Sequence, residues 1–177
     1  MEFSEVIKKR YSVRSYLADL VPDDVLSQVL EAAIMAPTAA NRQPFRILVI
    51  HTEDRELELQ QIYPSEWFTQ APLLICVCSV SGKAWKRHDG KNYADVDAAI
   101  VMDHLILAAV NAGLGTCWVA AFDVPTARKV LNIPDEWEPV AFTPLGYAEG
   151  HARAKTRRPL SDLVIHDRRR GSAANGV

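Results

Sequence analysis

The 177-residue chain is short of cysteine, of long apolar runs and of net charge, and each shortage excludes something. Its three cysteines, Cys76, Cys78 and Cys117, are too few and too odd in number for a disulfide scaffold. Cys76 and Cys78 stand two apart on an expected strand, facing the same way at roughly 6.6 Å, the upper edge of bridging distance. All three read as reduced, largely buried thiols, as in a cytoplasmic protein. The longest apolar stretch, Ala98–Val110, is broken by Asp103 and His104 and is too short to span a bilayer, so no membrane is expected. The start, Met1-Glu2-Phe3-Ser4-Glu5, lacks the basic-then-apolar pattern of a signal peptide. With 20 basic against 22 acidic side chains the formal net charge is −2, and no global field draws the chain to nucleic acid.

The usual catalytic signatures are also missing. There is no Gly-x-Gly-x-x-Gly, no P-loop and no Gly-x-Ser-x-Gly elbow. The five histidines show no metal spacing, and no metal is expected. His104 and Asp97 could share a helix face, a pairing more often structural than metal-binding. No nucleophile or acid–base pair stands out. If the chain is an enzyme, a bound cofactor is expected to supply the reactive atom.

What is present is ordinary globular composition, 49% apolar and 24% charged, in a length suited to one domain over 1–177. Patterning predicts a short helix at 3–10 and a second opened by Pro22 as first helical residue, with Asp23 and Asp24 at its positive end and Pro37 stopping it. Strands are expected at 45–51, 72–80, 116–121 and about 138–147, with helical turns at 53–61 and 64–70. Residues 82–94 read as a loop. The helix at about 95–112 is apolar nearly all round, so it should be central and buried, ending at Gly113 and Gly115. Asp123 is placed to cap a helix at 124–131. From His151 onward seven Lys and Arg face two Asp. The part from about 166, with Arg168, Arg169 and Arg170, reads as a flexible solvated terminus.

Two short segments carry candidate chemistry. In Arg10-Tyr11-Ser12-Val13-Arg14 an extended backbone puts residues 10, 12 and 14 on one side over roughly 13 Å. That row suits an elongated anion, although a basic cluster after a helix C-terminus is favoured in itself. In Ala36-Pro37-Thr38-Ala39-Ala40-Asn41-Arg42-Gln43-Pro44-Phe45, the Asn41 and Gln43 amides could read a ring edge bearing donors and acceptors. An ordinary helix-to-strand turn would have the same composition.

These two segments resemble the FMN-dependent nitroreductase family when taken with Gly113-Leu114-Gly115-Thr116-Cys117-Trp118, Pro144-Leu145-Gly146-Tyr147 and Lys155-Thr156-Arg157-Arg158-Pro159-Leu160. The resemblance runs from about residue 4 to 165. It implies an α+β fold, a central mixed or antiparallel sheet flanked by helices, and an intertwined homodimer with FMN at two interface sites. The helix at 95–112 would be the central interface helix.

By the same resemblance Arg10 and Ser12, with Tyr11 between them, would hold the phosphate and ribityl end of FMN, and Lys155 and Arg157 would close on the phosphate. Arg14 would lie by the flavin N1/C2 edge as electrostatic support, because hydride arriving at N5 leaves negative charge around N1 and O2. Asn41 would meet the pyrimidine edge, with Gln43 its neighbour in the cofactor-binding motif, and Pro37, Thr38 and Ala39 would cover the flavin from the other subunit. The segment 118–122, with Ala120 and Ala121, would offer backbone N–H groups to N5 and O4. No side chain is expected to act as a catalytic acid or nucleophile. The activity implied is ping-pong transfer from NADH or NADPH to a small acceptor: a nitroaromatic, a quinone or a flavin. Dehalogenation, flavin breakdown or non-catalytic FMN binding are the alternatives on the same scaffold.

The chain departs from the family pattern in places. Ala120 and Ala121 stand where many members have Gly, Tyr11 where a basic residue or His is common, and 82–94 is short where the family often has a longer excursion. Trp67, Phe68, Trp85 and Phe122 are candidates for a pocket wall or, as readily, for core packing.

Overall fold

The strand Leu73–Ser79 (β2) explains the layering, because every one of its residues is buried. A strand covered on both faces needs a packed layer on each. Its alternating side chains meet two different cores. Leu73, Ile75 and Val77 pack with Ala98, Val101, Met102 and Leu105. Leu74, Cys76 and Cys78 point the other way, among Leu59, Phe68, Ala127 and Phe142. The structure, a computed structural model, describes residues 1–150, 152 and 155–167. The expectation for Arg168–Arg170 lies outside them.

Four strands form one sheet in the order β1-β2-β4-β3, with β1 Phe45–His51, β3 Gly115–Thr116 and β4 Glu138–Gly146. All three ladders are antiparallel. A single parallel bridge, Ser12 to Thr116, joins the segment after the first helix to β3. On one face lie α1 (Phe3–Lys9), α2 (Asp23–Ile34) and α5 (Ala94–Asn111); on the other lie α3 (Glu56–Leu59), α4 (Glu66–Gln70) and α6 (Val124–Leu131). A last turn, α7 (Leu160–Leu163), has no buried residue. The expected α+β sandwich is therefore present.

Several boundaries differ from the pattern reading. Pro22 is the extended N-cap of α2 (ψ 144°), and the helix starts at Asp23. The strand expected at 116–121 shrinks to Gly115–Thr116, with an isolated bridge from Val119 to Phe142. The reason is a side chain: the Cys117 N–H donates to Thr143 Oγ1 at 3.0 Å instead of to a strand carbonyl. The loop at 82–94 contains a 3₁₀ turn at Ser81–Lys83 and a turn closed by the Lys86–Asn92 bridge.

Other local signals hold. The Thr126 N–H donates to the Asp123 carboxylate at 2.8 Å, so Asp123 caps α6. Helix α5 ends in a Schellman arrangement, in which Gly113 N–H reaches Val110 O at 3.1 Å and Leu114 N–H reaches Ala109 O at 2.8 Å. That turn needs the left-handed backbone of Gly113 (φ +84°).

The all-round apolar character of α5 is only half explained within one chain. Its inner face is buried, but Val96 is 39% exposed and Ile100 and Leu107 are half-buried. An open groove of about 450 Å³, lined by Phe3, Val6, Ala32, His104, Leu107 and Ala108 among others, runs beside it. The cysteines behave as read: all three are free and buried, with the Cys76 and Cys78 sulfurs 3.7 Å apart. His104 Nδ1 lies 3.1 Å from Ile100 O, and Asp97 accepts the Ala39 N–H, so each meets a backbone group. Among the described residues no group of His, Cys, Asp and Glu could hold a metal ion.

Candidate functional site

Helix α1 ends at Lys9, and the chain continues extended along β3. Val13 N–H donates to Thr116 O at 2.9 Å, Leu17 N–H to Tyr147 O at 2.9 Å, and Glu149 N–H to Ser15 O at 2.9 Å. These bonds fix the alternation on which the expectation rested. Val13 turns inward and is buried while Ser12 and Arg14 turn out; the alternation ends there, since Tyr16, also buried, has the parity of 12 and 14. The close approach requires Gly115, since a Cβ there would meet Val13 Cγ2 at 2.8 Å.

Arg10, Ser12 and Arg14 thus line a cleft of about 500 Å³ together with Lys155 and Arg157. Lys155 Nζ donates to the Ile7 carbonyl at 3.1 Å and to that of Lys8, the last carbonyls of α1, where positive charge is favoured. Arg157 Nη1 donates to Thr156 O at 2.8 Å. Four cations therefore converge, and the ion pairs formed among the described residues (Arg55–Glu58, Arg87–Asp89 and Arg128–Glu138) lie elsewhere. The Lys155 amine is held below its ordinary range by desolvation and by the neighbouring Arg10 and Arg157 charges. A phosphate dianion would relieve that repulsion and accept charge-assisted hydrogen bonds from several of the four. The donor set fits the phosphate end of FMN.

Burial pushes the thiol of Cys117 up against the opposing pull of Arg14, a Ser12 hydrogen bond and Arg10. The guanidinium of Arg14 lies over the Trp67 ring, 5.8 Å from its centre. Two lining residues escaped the sequence reading: Ser15 Oγ donates to Glu149 Oε2 at 2.7 Å at the rim. Nothing in the local sequence marks Glu149; only the pairing of 15 with 149 brings it there. Tyr11 packs beside Val13, Tyr16 and Ala71 as well as lining the cleft.

The second expected group sits elsewhere. Pro37, Thr38, Ala39, Asn41 and Gln43 form a loop against the start of α5, and none of them lines the cleft. Gln43 N–H donates to Thr38 Oγ1 at 3.1 Å, its Nε2 to Asn41 O at 3.2 Å, and Arg42 Nη1 to Ala84 O at 3.1 Å. Ala40, Asn41 and Gln43 all have φ near +50° (53°, 52° and 50°), a conformation rare for residues other than Gly. Ala120 and Ala121 are exposed beyond Val119, and neither has positive φ, so alanine in place of glycine costs nothing there. Of the aromatic candidates, Phe68 is core (0% exposed), Phe122 packs on Phe142 with centres 4.8 Å apart, and Trp85 packs on Tyr93 at 5.1 Å. Only Trp67 reaches the site residues, through Arg14.

A profile of the nitroreductase family matches residues 7–65 and 61–147. The crystal structure of a nitroreductase family protein from Clostridium difficile 630 superposes with a TM-score of 0.84 at 38% identity, covering 95% of this chain and 99% of that one. Iodotyrosine deiodinase 1 of Sus scrofa is 28% identical over 199 residues, 93% of this chain and 68% of its own. An FMN reductase [NAD(P)H] of Bacillus subtilis is 26% identical over 183 residues, 92% and 73% of the two chains.

Proposed function

The chain belongs to the nitroreductase family, and from that premise we propose that it is an FMN-dependent oxidoreductase passing reducing equivalents from NADH or NADPH to a small acceptor. A nitroaromatic, a quinone or a free flavin would serve. The observation that carries the reading is the cleft in which Arg10, Arg14, Lys155 and Arg157 converge.

Bound FMN would supply two-electron redox chemistry between a reduced nicotinamide and the acceptor. The chain's own part is binding and electrostatics. Arg10, Ser12, Lys155 and Arg157 hold the phosphate and its ribityl neighbour. Arg14 places a fixed cation where the reduced ring carries negative charge. No side chain has to move a proton. Arg14→Ala is expected to leave a folded protein whose bound flavin has a midpoint potential about 30–65 mV more negative, the equivalent of one charge-assisted bond. An unchanged potential in spectroelectrochemical titration would remove Arg14 from the ring edge.

The cleft and the 37–43 loop are read as halves of one site completed by a second copy. Three features support a homodimer. One face of α5 is open beside an apolar groove. The outer edge of β1 carries no strand among the described residues. Leu160, Leu163, Val164 and Ile165 are 74%, 53%, 42% and 93% exposed, an apolar segment that nothing among the described residues covers.

The similarity to iodotyrosine deiodinase favours a second reading, reductive dehalogenation on the same scaffold. Anaerobic addition of NADH and then NADPH to FMN-loaded protein tests the activity. Bleaching of the flavin bands, followed by recovery on adding a nitroaromatic or quinone, is expected. Recovery only with a halogenated phenol would assign the second reading, and bands that persist with both donors would leave a binding protein.

A further inference from the structure

Asp97 is the one buried carboxylate in the chain among the described residues, 1% exposed in the first turns of α5. Its Oδ1 accepts the Ala39 N–H at 2.9 Å, across 58 residues of sequence. Its Oδ2 has no hydrogen-bond partner. A buried carboxylate with a single bond costs stability, because desolvation of the charge is only partly offset. The helix N-terminus lessens that cost without removing it. An apolar residue at this position would serve the core better, so the acid is placed there for what it holds.

What it holds is the loop that carries Asn41 and Gln43. The chain enters the loop extended at Thr38 (φ −129°, ψ 153°) and then takes three left-handed backbones within four residues, at 40, 41 and 43. The conformation is uncommon for residues other than Gly, most of all for Ala40, and persists only where surroundings enforce it. The bonds within the loop join its members to one another, from Gln43 to Thr38 and to Asn41. Beyond the strand-entry bond from Phe45 N–H to Gln43 O at 2.9 Å, two bonds tie it to the body: Arg42 to Ala84 O at 3.1 Å, from an exposed side chain, and the Ala39 N–H to Asp97, whose carboxylate is buried.

We propose that Asp97 is a positioning residue: it anchors the Ala39 N–H and so presets the 38–43 loop in the conformation that receives the flavin. This rests on the FMN reading above. It makes the loop's strain part of the protein before any ligand arrives, so that binding does not have to order it.

The test is a double-mutant cycle on FMN affinity, read by quenching of flavin fluorescence at a protein concentration where the assembly is intact. Asp97→Ala removes the acceptor. Ala39→Pro removes the donor and suits a position that follows an extended residue. Asp97→Asn keeps an acceptor oxygen. Asp97→Ala and Ala39→Pro are each expected to weaken FMN binding at least about tenfold, the double variant no more than either alone, and Asp97→Asn less than about threefold. In the FMN-free protein, amide hydrogen exchange of residues 39–43 should quicken in Asp97→Ala with thermal stability unchanged or raised. A Tm that falls with no change in loop exchange would make Asp97 a fold residue and overturn the proposal. So would additive effects in the cycle, or Asp97→Ala binding FMN like the unaltered chain. If Asp97→Ala fails to fold, Ala39→Pro decides alone: FMN binding like that of the unaltered chain, or unchanged amide exchange at residues 40–43, would overturn the proposal. Failure of the unaltered chain to bind FMN would instead overturn the functional reading itself.

Discussion

Ending the chain at Pro159 is expected to give a folded protein that no longer pairs and no longer retains FMN. The three buried clusters draw nothing from residues 160–167, so the cores of a single chain survive the truncation. What is lost is Leu160, Leu163, Val164 and Ile165, all exposed within one chain. Full burial of each against a second copy is worth about 1.5–3 kcal/mol. Even if half of the total is spent ordering the segment, the dimer Kd should rise about a hundredfold or more. Sedimentation or light scattering over a concentration series reads the effect directly. A truncated chain that pairs as tightly as the full one would place the interface elsewhere, on the open face of α5 alone.

Arg157→Ala is expected to release FMN without undoing the assembly. A hydrogen bond between charged groups contributes about 1.5–3 kcal/mol, so losing one weakens binding about tenfold to hundredfold. The observed change should fall toward the lower figure. Lys155 is held below its ordinary pKa partly by the Arg10 and Arg157 charges, and removing one cation relieves the others. Lys155→Ala in the Arg157→Ala background should therefore cost more than Lys155→Ala alone. Full flavin occupancy of Arg157→Ala after extensive dialysis would contradict the phosphate role.

The fold was legible wherever one physical demand dominated. The continuous apolar run at 72–80 needs burial on two faces, and the structure covers both. Asp123 before Val124 has one strong local use, and it caps. The strand at 116–121 was misjudged because the competition that ends it is tertiary: Thr143 Oγ1, 26 residues away, takes the Cys117 N–H. The apolar periphery of α5 carried two demands at once, and a single chain meets only the inner one.

At the site, the alternation of Arg10, Ser12 and Arg14 around buried Val13 was readable because period two is a property of extended backbone. Lys155 and Arg157 joined them only through resemblance, since no local rule brings residue 155 back to the end of α1. Glu149 left no signal, and Asp97 stood out only as a possible helix-face neighbour of His104, with nothing to point to Ala39. Each acts through a partner more than 50 residues away, Ser15 for one and Ala39 for the other. The left-handed backbone at Ala40 was invisible for a different reason. Alanine avoids that conformation locally, and the surrounding loop imposes it.

The central claim is that the cleft of one chain and the 37–43 loop of another form one flavin site. Mixed dimers test it most directly. One chain would carry Arg10→Ala with Arg157→Ala in the cleft, and a differently tagged partner would carry Asn41→Ala with Gln43→Ala in the loop. Each lesion alone, on both chains of a dimer, should empty the protein of FMN. In the mixed dimer both lesions fall on one site and the other site is intact, so flavin absorbance should return to half that of the unaltered dimer. A mixed dimer as empty as its parents would mean that cleft and loop serve the same chain, and the shared-site account would be wrong.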